Sequence, residues 1–187
     1  SPRNISKETA CHIAAGIEGQ VPLVGVFVGE TLDYIHAIAE EVGLNFIQLH
    51  GNESPEYCQQ IHLPVIKVFR VGSDINVEII KSYDVHAFLF DTFEKDKPGG
   101  TGEIFNWDVI CNLQSDTPII LSGGLNIENI QDGIDAVSPS AVDVNSGVES
   151  KPGVKDIKKV ISLFDILRNK QSLTNPFEIS VVHRGQS

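Results

Sequence analysis

Short apolar segments alternate along the chain with segments whose apolar positions have helical spacing. Six of the short segments are rich in β-branched or aromatic residues, which is typical of buried strands. They cover residues 24–28, 46–49, 65–69, 87–90, 118–121 and 141–144. Successive segments start about 20 to 30 residues apart, which is the length of a βα unit. The pattern predicts an α/β fold with a parallel sheet covered by helices, either a barrel or a doubly wound sheet.

Amphipathic helices are predicted between and after these strands. Gly43 is expected to end one of them, and Asn126 is expected to cap the start of another. Their apolar faces consist of Leu32, Ile35, Ala39 and Val42; of Ile127, Ile130, Ile134 and Val137; and of Ile157, Val160, Ile161, Phe164 and Leu167. A further helix follows the N-cap candidate Ser6 and has no predicted strand before it. We therefore expect a barrel that lacks about two strands and one helix at its front.

The length and composition predict one domain with a tail. The chain has 187 residues, of which 41% are hydrophobic, enough to bury a core. We expect residues 1–169 to form the partial barrel and residues 170–187 to form a tail or linker, with 177–182 as an alternative edge strand. No apolar segment has the length of roughly 18 residues that a membrane span requires, and no signal peptide is evident.

Charge and cysteine content exclude several classes of partner. The 25 acidic and 14 basic residues give a formal net charge of −11, which argues against nucleic acid. Any anion site must then be built locally from backbone amides and a few cations. The three cysteines are widely spaced and odd in number, which fits neither a disulfide framework nor a zinc site. A cytoplasmic location follows as the expectation.

Two glycine-containing turns follow the last two predicted strands. They cover residues 121–125 and 142–149. In an eight-stranded α/β barrel the loops after the last two strands present backbone N–H groups to a phosphate, and glycine lets the backbone approach closely. The pair of turns predicts a pocket for the phosphate of a small molecule.

Polar residues stand where predicted strands end. Gln48 and His50 share one face at the carboxyl end of their strand, so they are either ligand contacts or a polar strand end satisfied by backbone. Asp91 ends an apolar strand; desolvation there raises the pKa of a carboxyl and suits a general acid, whereas the alternative is a loop hydrogen-bonder. Asp143 and Asn145 share a face and are expected to point into the same site.

Two other features have structural interpretations. Lys67 lies in the middle of an apolar strand, and we expect it to be a buried partner of Asp91 or Asp143. Three glycines at 99, 100 and 102 lie in a loop that is either a lid over the substrate or a long turn. The spacing of this loop matches neither a P-loop nor a dinucleotide fingerprint.

Seven motifs together resemble one family. In order they are SPR at 1–3, GVFV at 25–28, QLHG at 48–51, LFD at 89–91, GGTG at 99–102, LSGGL at 121–125 and VDVNSGVE at 142–149. The chain resembles the phosphoribosylanthranilate isomerases of tryptophan biosynthesis from residue 1 to about residue 169. Each motif alone is common, but seven in this order are specific.

The resemblance implies an Amadori rearrangement of N-(5-phosphoribosyl)anthranilate to 1-(2-carboxyphenylamino)-1-deoxyribulose 5-phosphate, without metal or organic cofactor. Asp91 matches the general acid that opens the sugar ring, and Arg3 matches the arginine that meets the anthranilate carboxylate. Further matches are the substrate contacts Gln48, His50 and Asp143, and the phosphate-binding residues Gly123, Gly124, Ser146 and Gly147. Fusion to, or association with, another tryptophan-pathway enzyme is a further expectation.

One part of the family pattern does not occur in this sequence. The family's general base is the cysteine of a Lys-x-Cys-Gly motif on the first strand, and no cysteine here lies in such a motif. We therefore expect slow turnover, or none, by this chain alone. Two alternatives stay open: a non-catalytic partial barrel that acts within a fused or assembled protein, and a related phosphosugar-binding barrel enzyme with another reaction.

Overall fold

A computed structural model of the protein describes residues 3–17, 19–71, 76–91, 110, 113 and 115–168. The glycine-rich loop at 98–102 and the predicted tail at 170–187 lie outside these ranges. The elements in chain order are α1 (Lys7–Ile17), β1 (Val24–Phe27), α2 (Leu32–Val42), β2 (Phe46–Leu49), α3 (Pro55–Cys58), β3 (Val65–Arg70), α4 (Val77–Lys81), β4 (Ala87–Asp91), β5 (Ile119–Ser122), α5 (Ile130–Val137), β6 (Ala141–Val142), a 3₁₀ turn (Ser146–Val148), β7 (Glu149–Lys151), β8 (Val154–Lys155) and α6 (Ile157–Arg168).

Strands β1 to β6 form one parallel sheet in the order of the chain. Each strand pairs with the next; for example, Lys67 of β3 lies beside Phe88 of β4, and Asp91 of β4 lies beside Ser122 of β5. The sheet makes half of an α/β barrel. The predicted α/β class and all six predicted strands are confirmed.

Side chains from alternate strand positions pack on the two faces of the sheet. The inner face carries a buried cluster of Phe46, Ile66, Val68, Ala87, Leu89 and Ile120. On the outer face, Ile47 and Leu49 pack against Ile35 and Ala39 of α2, and a second outer cluster includes Phe88, Phe90 and Leu121. Burial on both faces explains why the strands are nearly continuous apolar segments in the sequence.

The helix ends explain most of the predicted boundaries. Ser6 Oγ accepts a hydrogen bond from the backbone N–H of Thr9 (3.2 Å), which is the capping contact predicted for α1. Gly43 ends α2 in the left-handed conformation, with φ of 75°. The prediction for Asn126 was wrong. Helix α5 begins only at Ile130, because the Asn126 side chain accepts from the N–H groups of residues 128 and 129 and so closes a separate turn before the helix.

Several other elements differ from the predicted pattern. Strand β6 covers only Ala141–Val142, two residues fewer than the predicted segment. The antiparallel pair β7–β8 was not predicted because its strands, ESK and VK, are short and largely polar, and α4 was not predicted because five residues are too few to show a helical period. No helix among the described residues is long and apolar enough to cross a membrane.

Candidate active site

The inner face of the half-barrel and the loops at its carboxyl end line a cavity of about 770 Å³. Apolar side chains of the strands, including Val26, Ile66, Leu89 and Ile120, form one part of its wall. Eight of the nine predicted site residues also line it: Arg3, Gln48, His50, Asp91, Gly123, Gly124, Asp143 and Ser146. The ninth, Gly147, is not among the lining residues. Residues spread over most of the chain therefore meet in one place.

His50 and Asp91 meet at the carboxyl ends of β2 and β4. The Nε2 atom of His50 lies 3.4 Å from Oδ2 of Asp91, and both side chains are about one-quarter exposed, at 24% and 22%. The backbone N–H of His50 donates to the carbonyl of Phe27 (2.9 Å), which fixes the start of the loop after β2. A carboxyl group and an imidazole in contact at a cavity wall form an arrangement that supports proton transfer.

Asp143 lies beside this pair at the end of β6. Its Oδ2 accepts a hydrogen bond from the Ser122 hydroxyl at 3.2 Å. Burial raises the pKa of Asp143; the Ser122 hydrogen bond acts in the opposite direction, and the nearby charge of Asp91 raises the pKa further. Two carboxyl groups thus share the cavity, and Asp143 holds its proton more tightly than an aspartate in water does.

Gln48 is the remaining polar residue on the inner face of β2. Its side chain is nearly buried, at 9% exposure, and it lines the cavity between the apolar wall and His50. Among the described residues it makes no side-chain hydrogen bond. An amide in this position has both donors and an acceptor to offer a bound molecule.

The two glycine-containing turns pack against each other beside the cavity. Gly123 and Gly124 both have positive φ, at 87° and 65°. The Asn129 side chain donates to the Gly124 carbonyl (3.1 Å) and holds this turn. A Cβ atom on Gly147 would collide with the Leu125 carbonyl oxygen, so Gly147 allows the second turn to approach the first. Its structural place is therefore between the turns, while Ser146 faces the cavity.

Arg3 is held at the cavity wall by an acidic residue. Its Nε and Nη2 atoms donate to the two carboxylate oxygens of Glu149, at 3.0 and 2.7 Å. The Glu149 side chain is only 5% exposed, whereas that of Arg3 is 37% exposed. The hydrogen bond from Arg3 is the largest of the effects that hold the pKa of Glu149 at about 2. Glu149 was part of a motif, but sequence reasoning did not assign it a role.

Lys67 is a buried ion-pair residue, as predicted, but the predicted partners are wrong. Its Nζ atom lies 2.9 Å from Oε2 of Glu53 and also donates to the Gly51 carbonyl (2.7 Å). Lys67 alternates with the inner-facing Ile66, so it faces outward, away from Asp91 and Asp143.

Glu53, like Glu149, supports the site and was given no role in the sequence analysis. It lies in a loop outside any periodic segment, so no pattern indicated it. Its carboxylate accepts from the backbone N–H groups of Gly29 and Gly51, both at 3.0 Å. Burial acts to raise the pKa of Glu53, but the hydrogen bonds from Lys67 and Gly29 outweigh it and the pKa is lowered. The pair joins the loops that follow β1 and β2.

The side chains of the site suggest organic acid–base chemistry and anion binding. Within the described residues, no group of three or more His, Cys, Asp or Glu side chains is arranged to hold a metal ion. The cavity instead combines an apolar wall, a carboxyl–imidazole pair, a second carboxyl group and two glycine turns.

Sequence and structure comparisons agree with one another. The family model described as N-(5'phosphoribosyl)anthranilate (PRA) isomerase matches residues 1–166. The N-(5'-phosphoribosyl)anthranilate isomerase of Geobacter metallireducens is 43% identical over 160 residues, which cover 86% of this chain and 79% of that protein. The corresponding protein of Desulforudis audaxviator is 44% identical over 168 residues, covering 89% and 82%.

Solved structures of the same enzyme are similar to this fold. The Thermus thermophilus phosphoribosyl anthranilate isomerase superposes with a TM-score of 0.78 at 34% identity, covering 90% of this chain and 83% of that one. The Thermotoga maritima enzyme gives 0.76 at 35% identity, covering 91% and 84%. A structure solved with reduced 1-(o-carboxyphenylamino)-1-deoxyribulose 5-phosphate gives 0.74 at 34% identity, covering 91% and 83%. The chain belongs to the N-(5'-phosphoribosyl)anthranilate isomerase family.

Proposed function

We propose that the cavity is where this chain binds N-(5-phosphoribosyl)anthranilate for the Amadori rearrangement of tryptophan biosynthesis. One observation carries the proposal: eight residues that match the family's site, from Arg3 to Ser146, line a single cavity. The reaction needs a general acid, a general base and binding sites for the two anionic groups of the substrate, which are the ring carboxylate and the phosphate. The substrate is a phosphosugar, in agreement with the ligand of the solved relative.

Asp91 is the proposed general acid. It donates a proton to the ring oxygen of the ribose, the C1–O bond breaks with its electrons on that oxygen, and the nitrogen lone pair forms the C1=N bond of an iminium ion. A base then removes the proton from C2; the C2–H electrons form a C1=C2 bond and the C1=N electrons return to nitrogen, which gives an enolamine. Protonation at C1 and loss of the enol proton give the ketone product. The position of Asp91 at the mouth of β4, against His50 at 3.4 Å, supports this role.

The anionic ends of the substrate have separate proposed contacts. The glycine turns with Gly123, Gly124, Ser146 and Gly147 bind the phosphate through backbone N–H groups. The planar fork of Arg3 meets the ring carboxylate. Gln48, His50 and Asp143 hydrogen-bond the sugar between these ends, and the apolar wall excludes water from the reacting atoms.

Neither described cysteine suits the role of the base. Burial raises the pKa of Cys58 to about 11, so its thiol stays protonated at neutral pH. Cys11 lies on α1 and, like Cys58, does not line the cavity. The proposal therefore assigns the base to the cysteine of a Lys-x-Cys-Gly motif, which this sequence does not contain.

Binding and turnover measured separately test the proposal. Calorimetry should detect binding of reduced 1-(o-carboxyphenylamino)-1-deoxyribulose 5-phosphate to the chain. Turnover is measured with the chain alone and with a supplemented protein, in which the chain is joined to a segment that carries the Lys-x-Cys-Gly motif. In the supplemented protein, Asp91→Asn should lower kcat by at least about a hundredfold while the analogue still binds.

The matched control is Asp84→Asn, which changes an exposed aspartate outside the cavity. It should leave both binding and kcat unchanged. Full activity of Asp91→Asn would contradict the acid assignment, and failure of the unchanged chain to bind the analogue would contradict the site.

The domain boundary, the location and the partner enzyme also belong to this proposal. We propose a barrel unit of residues 1–169 with 170–187 as a tail or linker; the packing of Leu163 of α6 with Ile130 and Ile134 of α5 supports α6 as part of that unit. Free thiols on Cys11 and Cys58 support a reducing, cytoplasmic environment. Fusion or association with another tryptophan-pathway enzyme is tested by whether such an enzyme co-purifies with the full protein and is lost on deletion of 170–187.

A further inference from the structure

We infer that Glu149 is a positioning residue for substrate recognition: it holds the Arg3 guanidinium in the cavity wall without reaching the cavity itself. The inference rests on the proposed function, in which Arg3 meets the carboxylate of the anthranilate ring. Arg3 lines the cavity, whereas Glu149 is not among the described residues that line it. Glu149 therefore acts on the ring carboxylate only through Arg3.

The contact between the two side chains fixes a direction. Glu149 accepts from Nε at 3.0 Å and from Nη2 at 2.7 Å, so it contacts one edge of the guanidinium plane with both carboxylate oxygens. Two parallel charge-assisted hydrogen bonds define the orientation of the plane as well as its position. The Nη1 side of the fork consequently points away from Glu149.

The backbone around Arg3 does not supply this constraint. Arg3 precedes α1 and lies in a turn rather than in a helix or strand. An arginine side chain has several rotatable bonds and loses rotamer entropy when it is fixed. The bond to Glu149 connects residues 146 positions apart, and it orders Arg3 before any substrate arrives.

Glu149 is itself held firmly. Its side chain is 5% exposed, and it lies on β7 opposite Lys155 of β8. Lys155 Nζ lies 3.4 Å from Oε1 of Glu149, and Lys159 Nζ donates to the Glu149 backbone carbonyl at 3.1 Å. A buried anchor in a hairpin moves less than the half-exposed arginine that it holds, so the pair is preorganised from the Glu149 side.

The same anchor reaches the turn proposed for the phosphate. Lys155 donates to the backbone carbonyl of Asn145 at 2.8 Å and to its side-chain oxygen at 2.6 Å, immediately before Ser146. Glu149 thus lies between Arg3 and Lys155. The side chain of Glu149 therefore connects Arg3, the proposed contact of the ring carboxylate, with the proposed phosphate turn. It sets the position of Arg3 relative to that turn.

The test compares two ligands that differ only in the group Arg3 would contact. One is reduced 1-(o-carboxyphenylamino)-1-deoxyribulose 5-phosphate, and the other is the same molecule without the ring carboxylate. The ratio of their Kd values is measured by calorimetry for the unchanged chain, Arg3→Ala, Glu149→Gln and the control Glu40→Gln, an exposed glutamate of α2. The unchanged chain should prefer the carboxylated ligand by at least about tenfold.

A positioning role predicts a selective loss. Arg3→Ala should bring the ratio close to one, and Glu149→Gln should lower it by at least about fivefold, while Glu40→Gln leaves it unchanged. The double variant Arg3→Ala with Glu149→Gln should lose no further preference, because Glu149 acts on the ring carboxylate only through Arg3. If Glu149→Gln does not fold by circular dichroism, Glu149→Asp is used; its shorter side chain cannot span both nitrogens, and its ratio should be intermediate.

The outcomes separate this inference from the proposed function. Equal weakening of both ligands, or an unchanged ratio, in a folded Glu149 variant overturns the positioning role alone. A ratio near one in the unchanged chain, or a ratio that survives Arg3→Ala, overturns the assignment of Arg3 and with it the proposed recognition of the ring carboxylate.

Discussion

The imidazole of His50 contacts the carboxylate of Asp91 across an intervening strand. His50 follows β2 and Asp91 ends β4, with β3 between these two strands, and Nε2 of His50 lies 3.4 Å from Oδ2 of Asp91. The loop after β2 is also held by two hydrogen bonds at Gly51: its backbone N–H donates to the Glu53 carboxylate, and its carbonyl accepts from Lys67. The pair is thus positioned by the sheet and by a buried ion pair.

Replacement of His50 should therefore impair the chemical step more than binding. We expect His50→Asn to lower kcat of the supplemented protein by at least about tenfold, because Asp91 loses the contact that orients it. The Kd of the reduced product analogue should change by less than about threefold. Steady-state kinetics and calorimetry measure the two quantities. His12→Asn, an exposed histidine of α1, is the control; equal losses in kcat and binding would indicate a general disruption instead.

Asp143 should show a conflict between stability and activity. Its pKa is raised, mainly by burial, so the folded state binds this proton more tightly than the unfolded state does. Stability from this group is then present at low pH and is lost as pH rises from the unfolded pKa of about 3.8 through the higher folded pKa. At pH 7 the Asp143→Asn variant, which carries no charge, should unfold at higher urea concentration than the unchanged protein.

The same substitution should cost activity. Asp143→Asn removes a charged group from the cavity, and we expect kcat/KM of the supplemented protein to fall by roughly tenfold or more. The gain in stability should disappear below about pH 3.8, where the native carboxyl is also protonated. A stability gain that is the same at pH 3 and pH 7 would show that burial of the charge is not its cause.

The sequence predicted the strands well and the side-chain partners poorly, for a physical reason. The central strands β2 to β5 are buried on both faces and mostly apolar, and the edge strands β1 and β6 are apolar as well, so all six appear as local patterns. Alternation along a strand correctly placed Gln48 on the cavity wall together with the strand-end residue Asp91. The hydrogen-bond and ion-pair partners of a side chain do not appear as local patterns, because they depend on which loops the fold brings together.

Lys67 and Arg3 illustrate this limit. A lysine in an apolar strand requires a buried partner, so the existence of an acidic partner for Lys67 was predictable. Its identity was not, because Glu53 lies 14 residues earlier in an irregular loop. The partner of Arg3 is 146 residues away. Asn126 shows a local limit as well, since an asparagine before an apolar face serves equally as an N-cap or as the start of a turn.

The Lys67–Glu53 pair gives a prediction about stability. Both side chains are almost fully buried, at 2% and 4% exposure, so removal of one charge leaves the other without compensation. Lys67→Met should lower the free energy of unfolding by about 3–5 kcal/mol. The double variant Lys67→Met with Glu53→Gln should lose less than the sum of the single variants, because no unpaired buried charge remains.

Urea unfolding measured for all four members of the cycle gives the coupling energy. Lys81→Met, at the exposed end of α4, is the matched control and should change stability by less than about 0.5 kcal/mol. Additive losses would mean that each side chain contributes through packing alone and that the pair is not coupled.

Two glycine-to-alanine substitutions, at Gly147 and Gly16, should have opposite effects on stability. A Cβ at Gly147 would collide with the Leu125 carbonyl oxygen and lie 2.9 Å from Cα of Asn126, and backbone atoms cannot yield as a flexible side chain does. Gly147→Ala should therefore separate the two glycine turns, lower the free energy of unfolding by about 1–3 kcal/mol and weaken binding of the phosphorylated analogue.

Gly16 lies in α1, and beyond its own helix backbone and chain neighbours no described atom lies within 4 Å of the position that a Cβ would take. Gly16→Ala should accordingly stabilise the protein by about 0.5–1 kcal/mol. Urea unfolding and calorimetry on both variants decide the matter: if Gly147→Ala binds the analogue as tightly as Gly16→Ala does, close packing of the turns is not needed for phosphate binding.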